Sequence, residues 1–282
     1  MNRWMVGDVK ITRVVEQEAV SDASYLLKDG TPENIGTVPW LRPHFADDAG
    51  SVRMSVHTFV VESQGDRIMV DTCIGNDKSR TFAGMNRLQL PFLADLAAAG
   101  FSRDSMDRVL CTHLHVDHVG WNTMLCDGVW VPTFPNARYL VGRKEWEYCS
   151  KDETAQTREF VDDSVLPLFD AGLVELVESD QRLTDEVWLE PTPGHTAGHH
   201  SVRVSSRGED AVITGDLMHH PVQIAHPEWG SYFDFDYEQA IATRRQFVER
   251  YGDTPVLVLG THFATPTAGR IVRDGSRWRL DA

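Results

Sequence analysis

The stretch that decides the fold is His113-Leu114-His115-Val116-Asp117-His118. It places three imidazoles and a carboxylate within six residues, directly after the apolar run Val109-Leu110-Cys111, which predicts a buried strand. Polar groups at the end of a buried strand need partners, and a bound cation supplies one. Neutral imidazole and carboxylate suit Zn²⁺ and also tolerate Fe or Mn. Four ligands this close exceed what one tetrahedral catalytic zinc can use with a position left open, so the stretch predicts two metal ions.

Three later segments repeat the order of strand, glycine and polar residue. They are Pro193-Gly194-His195, Gly215-Asp216 and Gly260-Thr261-His262, and each follows an apolar or strand-like run. Glycine lets the backbone turn sharply beside a polar side chain. The recurrence is more specific than any single histidine, and it predicts that these segments supply the remaining ligands.

Taken in order, these motifs resemble those of the metallo-β-lactamase-fold hydrolases over roughly residues 52 to 270. The five matching motifs are Asp71 in Val70-Asp71-Thr72, the cluster at 113–118, His195, Asp216 and His262. The resemblance implies an α/β fold, a four-layer αββα sandwich with its site at one edge between the sheets. It also implies that Asp71 steadies the histidine loop from behind the metal ligands.

The resemblance further implies two divalent metal ions, with zinc as the first expectation. The implied ligands are His113, His115 and His195 for one metal, Asp117, His118 and His262 for the second, and Asp216 as the bridge between them. The neighbouring His199 and His200 are expected to support these ligands or to have a structural role. The resemblance thus accounts for most of the histidines in the motifs.

The expected reaction is hydrolysis of a lactone or a carboxylic ester by a metal-bridging hydroxide, because two metals about 3.5–4 Å apart lower the pKa of a shared water. Asp117 either relays a proton as a catalytic residue or serves only as a ligand. His219 stands three residues after Asp216, where lactonases of this superfamily carry a tyrosine that contacts substrate. The chain departs from that pattern here, so His219 or its neighbour His220 is a candidate for the transition-state donor, with a plain packing role as the alternative.

Residue types distinguish several branches of the superfamily. True β-lactamases usually carry Cys or Ser in place of Asp216, and flavodiiron relatives carry glutamate in place of His115. The segment 134–139 and the Glu-rich helix expected after it resemble the quorum-quenching lactonases and their esterase relatives. A lactonase or esterase is therefore the first expectation.

Two alternatives remain open. A glyoxalase II-like thioesterase shares the Gly-His-Thr-x-Gly-His pattern and brings basic glutathione-binding residues near the chain end. Arginines do occur there, although strand alternation also explains them as a solvated edge: Arg270, Arg273, Arg277 and Arg279. The other alternative is a mononuclear-iron oxidoreductase resembling persulfide dioxygenases, or a metal-free binding relative. Metal analysis discriminates among these classes.

Composition limits the partners. The 282 residues carry a formal net charge of −15, which argues against nucleic acid, since a polyphosphate partner needs a basic face. The expected partner is a small-molecule acyl substrate.

The sequence shows no signal-peptide core and no apolar run long enough to span a bilayer, so no membrane association and a cytoplasmic location are expected. The four cysteines have neither disulfide-framework density nor zinc-finger spacing.

One domain is expected over residues 1–282, because no linker, low-complexity tract or repeat divides the chain. Residues 21–51 and 217–235 interrupt the pattern of strands and helices. Their aromatic content favours lids or a subunit contact, which includes a homodimer. Helices are predicted over Leu90–Ala99 and Asp236–Tyr251, the latter capped by Asp236.

Overall fold

Apolar and alternating runs of the sequence form two large sheets and one separate hairpin in the computed structural model, which describes residues 2–282. The strands are β1 Arg3–Val6, β2 Val9–Ser21, β3 Val52–Ser63, β4 Asp66–Val70, β5 Arg108–Cys111, β6 Thr123–Cys126, β7 Val129–Pro132, β8 Arg138–Gly142, β9 Val174–Val177, β10 Val187–Pro191, β11 His200–Ser206, β12 Glu209–Ile213, β13 Leu257–Leu259, β14 Ala268–Asp274 and β15 Arg277–Asp281. The first sheet has the order β1-β2-β3-β4-β5-β8-β9, the second runs β10 to β15 in sequence, and β6 pairs with β7.

The helices are short except for the last. The α-helices are α1 Pro32–Gly36, α2 Phe92–Ala98, α3 Arg143–Cys149, α4 Ala155–Phe160, α5 Leu166–Asp170, α6 Val222–Ala225 and α7 Tyr237–Tyr251. A π-helical turn at Val161–Val165 joins α4 to α5, and 3-10 turns lie at Ala23–Tyr25, Pro39–Leu41, Ala83–Met85, Arg103–Ser105, Gly120–Asn122 and Gly215–Leu217.

The predicted helix at Asp236–Tyr251 is confirmed: the Asp236 side chain accepts a hydrogen bond from the Gln239 backbone N–H at 3.0 Å and caps α7. The helix predicted over Leu90–Ala99 is shorter than expected. It spans Phe92–Ala98, with Pro91 as the residue before its first turn.

The order of layers is helix, sheet, sheet, helix, which confirms the αββα sandwich. Successive side chains of a strand lie on opposite faces of its sheet. Leu110 of β5 and Ile213 of β12 lie on the faces that form the core between the two sheets. Val109, next to Leu110, packs outward against the α2 side of the first sheet. Val212 packs outward on the second sheet, in a cluster with residues of α7.

Residues 21–51 and 217–235 cover the outer face of the second sheet together. Leu27 and Leu41 from the first segment share a core cluster with Val222 and Trp229 from the second. All four side chains are buried. Both segments therefore contain short helices and a packed interior rather than open loop.

The sheet topology brings the motif segments to one edge. β4 and β5 are parallel neighbours, as are β12 and β13, and β10 runs in the same direction as β12 because two antiparallel pairings separate them. Asp71, His113, His195, Asp216 and His262 each follow the carboxyl end of one of these strands. Side chains from five different strand ends thus meet in one place.

Candidate metal centre

Three histidines form the first donor group. The Nε2 atom of His113 lies 3.1 Å from Nδ1 of His115, and Nε2 of His195 lies 3.0 Å from the same Nδ1. The Asp216 Oδ2 atom completes the group at 3.8 Å from His113 Nε2 and 3.6 Å from His195 Nε2. These four atoms converge on one point from three separate segments of the chain.

The second donor group lies on the other side of Asp216. The Nε2 atoms of His118 and His262 are 3.2 Å apart, and Asp117 oxygens lie 3.7 Å and 3.5 Å from them. Asp216 Oδ1 is 3.3 Å from His118 Nε2 and 3.1 Å from His262 Nε2. Each oxygen of the Asp216 carboxylate therefore faces a different donor group.

The outward nitrogens of these rings have hydrogen-bond acceptors, and this fixes where the lone pairs point. His118 Nδ1 lies 2.9 Å from the Asp71 carboxylate, and His262 Nδ1 lies 3.1 Å from the Ser55 carbonyl oxygen. A carboxylate and a carbonyl only accept, so the protons sit on Nδ1 and the Nε2 lone pairs face inward. Two lone pairs 3.2 Å apart repel each other unless a cation lies between them.

The donor set fits divalent metal ions. Donor atoms of a tetrahedral zinc with bonds of about 2.0–2.1 Å lie about 3.3 Å apart, close to the spacings in both groups. Asp216 Oδ1 is buried and has no hydrogen-bond partner within residues 2–282. A buried carboxylate oxygen without a partner is costly, and a cation would satisfy it.

The pKa shifts agree with this interpretation. Burial and the neighbouring His195 lower the pKa of His115 to about 3, so that this ring is neutral and able to act as a ligand at neutral pH. Burial alone would lower the pKa of His118, but the Asp216, Asp71 and Asp117 carboxylates outweigh it and raise that pKa. Without a metal ion these carboxylates favour a second proton on His118, and a divalent cation bound at the second group would take the place of that proton.

Asp71 connects the loop after β5 to the second donor group, in the role that the family resemblance implies. Besides His118, its carboxylate accepts hydrogen bonds from the Thr112 backbone N–H at 2.7 Å and the Thr112 hydroxyl at 2.8 Å. Its backbone adopts φ +59°, in the left-handed region. A non-glycine residue in that conformation is uncommon, and here it turns the carboxylate toward the start of the histidine loop.

The histidines near the ligands have different surroundings. His199 Nε2 accepts a hydrogen bond from the Asp216 backbone N–H at 2.9 Å and so supports that residue. His219 is buried, its Nε2 lies 3.3 Å from Asp216 Oδ2, and its Nδ1 has no hydrogen-bond partner within the part of the chain described. His220 instead contacts the Phe45 carbonyl oxygen through Nε2 at 2.8 Å, away from the metal centre.

Trp121, which follows the histidine loop, belongs to the core. Its ring stacks on Phe92 with centroids 5.6 Å apart, and it is 4% exposed. Its Nε1–H donates to Glu16 at 2.6 Å. Glu16 lies where the pairing of β2 with β3 shifts register, and it also accepts from the Ile74 and Gly75 backbone N–H groups at 2.8 and 3.1 Å.

Two buried carboxylates near the site have no signal in the sequence. Glu145 of α3 accepts from the Leu114 and Gly198 backbone N–H groups at 3.2 and 2.6 Å, so it ties two ligand-bearing loops together. Asp234 lies 3.1 Å from Nδ1 of His195. Acidic residues in a Glu-rich helix and in a polar turn have the composition of a solvated surface, and only the tertiary structure turns them inward.

A cavity of about 620 Å³ opens beside the donor groups. Its floor includes His115, Asp117, His195, Asp216 and His219. Its apolar walls are formed by Tyr25, Leu26, Met54, Val56, Ile74, Phe82, Met85, Val116, Phe160 and Phe233. No lysine or arginine lines it within residues 2–282.

Comparisons with known proteins find one matching family model and several related sequences. The model of the metallo-beta-lactamase superfamily matches residues 52–273. An N-acyl homoserine lactonase of Bacillus sp is 24% identical over 172 residues, which are 57% of this chain and 62% of that protein. The N-acyl homoserine lactonase AiiA of Bacillus thuringiensis subsp. kurstaki is 24% identical over 174 residues, 57% of this chain and 63% of the relative. The match thus covers less than two thirds of the length of these curated relatives.

Solved structures share the fold over nearly the whole chain. The hydrolase AbOPH of the beta lactamase superfamily superposes with a TM-score of 0.81 at 23% identity, covering 99% of this chain and 96% of the other. AidC, described as a dizinc quorum-quenching lactonase in complex with a product, superposes with a TM-score of 0.77 at 20% identity and the same coverage.

Within residues 2–282, no helix has the length and apolarity that crossing a bilayer requires.

Proposed function

Since this chain belongs to the metallo-beta-lactamase superfamily, we propose that it is a metal-dependent hydrolase that opens a lactone or cleaves a carboxylic ester. The observation that carries the proposal is the position of Asp216 between two donor groups, with one carboxylate oxygen toward each. A single ion would leave one group of inward-facing nitrogens without a partner.

Two zinc ions are the proposed occupants. The proposed ligands are His113, His115 and His195 for one ion, Asp117, His118 and His262 for the other, and Asp216 for both. Divalent ions in such a pair supply Lewis acidity toward a carbonyl oxygen and lower the pKa of water to near neutrality. The protein contributes fixed ring orientations, carboxylates that attract the ions, and a cavity with apolar walls beside them.

Asp117 is the proposed proton carrier. It is partly exposed and lines the cavity, whereas Asp216 is buried and contacts several histidines. Burial alone would raise the pKa of Asp117, but His118 and His262 outweigh it and keep the carboxyl ionised at neutral pH. An ionised carboxylate at the border of the cavity can accept a proton and release it to solvent.

His219 is the proposed donor to the developing oxyanion. It lines the cavity floor, and its Nδ1 has no partner within residues 2–282. Burial lowers its pKa, although Asp216 opposes the shift, so the ring is neutral at neutral pH and carries one N–H. With the Asp216 carboxylate held by metal ions, that proton would be carried on Nδ1 and could be donated to the oxyanion. Its neighbour His220 does not line the cavity, and it contacts a backbone carbonyl instead.

The proposed substrate is a neutral molecule with an apolar acyl part. The apolar walls and the missing cationic groups both favour such a substrate over an anionic one. The names of the relatives suggest N-acyl homoserine lactones as the first compounds to test. Residues 21–51 and 217–235 are proposed as the lid, because Tyr25, Leu26 and Phe233 from these segments line the cavity.

The thioesterase alternative has less support. Arginines near the chain end would have to reach the cavity to bind glutathione, but Arg273 stacks on Trp278 at 3.7 Å and Arg279 pairs with Asp281 at 2.8 Å. Neither lines the cavity. A mononuclear-iron enzyme is also disfavoured, because one ion would use only one of the two donor groups.

The proposal is tested by measuring metal content and hydrolysis with the same protein sample. The substrates are N-acyl homoserine lactones of short and long chain, a simple aryl ester and S-lactoylglutathione. About two zinc or similar ions per chain, with lactone or ester turnover above thioester turnover, are expected. One iron per chain with oxygen consumption would overturn the proposal, and dominant thioester turnover would replace it with the alternative.

A further inference from the structure

We propose that Asp234 is a positioning residue that holds His195 ready for metal, and that it couples the lid to the metal centre. The inference rests on the proposed function, because it takes His195 to be a metal ligand. Asp234 belongs to the 217–235 segment and not to any strand that carries the ligands. A carboxylate supplied by the lid therefore contacts a ligand of the first donor group.

The contact fixes the orientation of the His195 ring. Asp234 Oδ1 lies 3.1 Å from His195 Nδ1, and the side chains are 0% and 2% exposed. A carboxylate only accepts, so the proton resides on Nδ1 and the Nε2 lone pair faces His115, 3.0 Å away. Carboxylate partners of this kind orient metal-binding histidines and increase their basicity.

Asp234 is itself held by a buried cation. The Arg244 side chain is 0% exposed, and its Nη2 lies 3.4 Å from Asp234 Oδ2. The same guanidinium donates to the Leu217 carbonyl oxygen through Nε and to the Pro227 carbonyl oxygen through Nη1, both at 2.9 Å. Arg244 of α7 thus joins the residue after Asp216, the middle of the lid and Asp234 in one network.

The lid also contacts the His195 loop through its backbone. The Phe235 N–H donates to the His195 carbonyl oxygen at 3.0 Å, and the Asp236 N–H donates to the Gly194 carbonyl oxygen at 2.9 Å. Movement of this part of the lid therefore moves the acceptor of His195 Nδ1 and its backbone partners together. The two elements have few ways to shift independently.

Phe233 extends the coupling to the substrate cavity. It lines the cavity, and its ring contacts that of Phe82, another lining residue, with the centroids 5.8 Å apart. Asp234 is the next residue, so the side chain that lines the proposed substrate cavity and the one that holds His195 are adjacent. Coupling of this kind is reciprocal: metal binding orders the lid, and an ordered lid strengthens metal binding.

The test compares zinc affinity, by competition with a chromophoric chelator, in the wild type, Asp234→Ala, Asp234→Asn and the exposed control Asp274→Asn. Asp234→Ala should weaken the binding of one of the two zinc ions about 10- to 100-fold and leave the affinity for the other unchanged. Asp234 Oδ2 also accepts a hydrogen bond from the Ser231 backbone N–H at 2.9 Å. Asp234→Asn keeps a carbonyl acceptor for His195 but turns an amide N–H₂ toward Arg244 and the Ser231 N–H. It should lose stability yet hold zinc within about threefold of wild type. A merely structural role would make affinity follow stability in both variants.

Hydrogen exchange of the wild type gives a second measurement that does not depend on how the variants fold. Removal of zinc should increase exchange in peptides spanning 229–236, with little change in the β6–β7 hairpin. Wild-type zinc affinity in Asp234→Ala, or equal exchange with and without zinc, would overturn the inference. Failure of the wild type to bind a pair of ions would instead overturn the proposed function.

Discussion

The Asp71 carboxylate lies 2.9 Å from His118 Nδ1, and both side chains are almost completely buried. The contact keeps His118 Nε2 directed at His262, 3.2 Å away. Asp71→Ala should therefore weaken metal binding to the second donor group about 10- to 100-fold. It should also lower stability, because the Thr112 backbone N–H loses its buried acceptor.

Metal titration followed by urea unfolding checks both expectations. Asp95→Ala is a matched control, since Asp95 is an exposed carboxylate on α2. Unchanged affinity for the second ion in Asp71→Ala would mean that His118 keeps its orientation without the carboxylate.

Most of the candidate metal ligands can be predicted from the sequence, because each follows the end of a predicted strand. A glycine or a polar residue directly after an apolar run identifies His113, His195, Asp216 and His262, because parallel strands bring their carboxyl ends to one edge. Alternation of strands with helices indicates only a layered α/β fold, and the four αββα layers are what the family resemblance implies. These signals are local and repeat along the chain.

The residues that orient the ligands give no such signal. Glu145 and Asp234 are acidic residues in polar stretches, where a solvated surface is the ordinary expectation. They are buried because backbone N–H groups and Arg244 lie opposite them in space. Similarly, Trp121 follows the histidine loop in sequence, and only the distant Phe92 and Glu16 place its ring in the core.

Asp216→Ala should abolish measurable turnover and lower the metal content from about two ions to about one or fewer per chain. The physical reason is that Asp216 is the acidic member common to both donor groups. Metal analysis and steady-state kinetics on the same sample check this expectation, with the exposed Asp185→Ala as control. Near-normal kcat in Asp216→Ala would remove the two-metal mechanism.

Phe233→Ala should raise KM for long-chain acyl substrates about tenfold and leave short-chain substrates nearly unchanged. The Phe233 and Phe82 rings lie 5.8 Å apart on the cavity wall, so deletion of the Phe233 ring removes apolar surface that we expect a long acyl chain to contact. Kinetics across a chain-length series measure the effect. Phe235→Ala is the control, since Phe235 is 56% exposed and does not line the cavity. Equal losses for all chain lengths would contradict an acyl-chain role.

Lys78 should make stability depend on pH. Its side chain is 0% exposed, and burial lowers its pKa to about 7 although Asp163 at 3.5 Å opposes the shift. The unfolded chain keeps a lysine pKa of about 10.4. Between these values the unfolded state binds the extra proton, so the free energy of unfolding rises with pH. Below about pH 7 both states are protonated, and the destabilisation is fully present.

Urea unfolding of the wild type and Lys78→Met at about pH 6.5, 8.0 and 9.5 isolates this contribution, because other titrating groups are common to both proteins. The wild type should gain stability relative to Lys78→Met as pH rises across this range. Parallel curves for the two proteins would show that Lys78 remains charged in the folded state, held by Asp163 and the Trp130 ring at 3.7 Å.

His219 and His220 are sequence neighbours with opposite expected phenotypes. His219→Ala should lower kcat about 100-fold with two metal ions retained, since a donor to the developing oxyanion is lost. His220→Ala should leave kcat nearly unchanged and lower stability by about 1–3 kcal/mol, because the Phe45 carbonyl oxygen loses its buried partner. Kinetics, metal analysis and urea unfolding on both variants separate the two roles. Loss of a metal ion in His219→Ala would identify His219 as a ligand, since its Nε2 lies 3.3 Å from Asp216 Oδ2. Unchanged kcat in this variant would instead assign His219 a packing role.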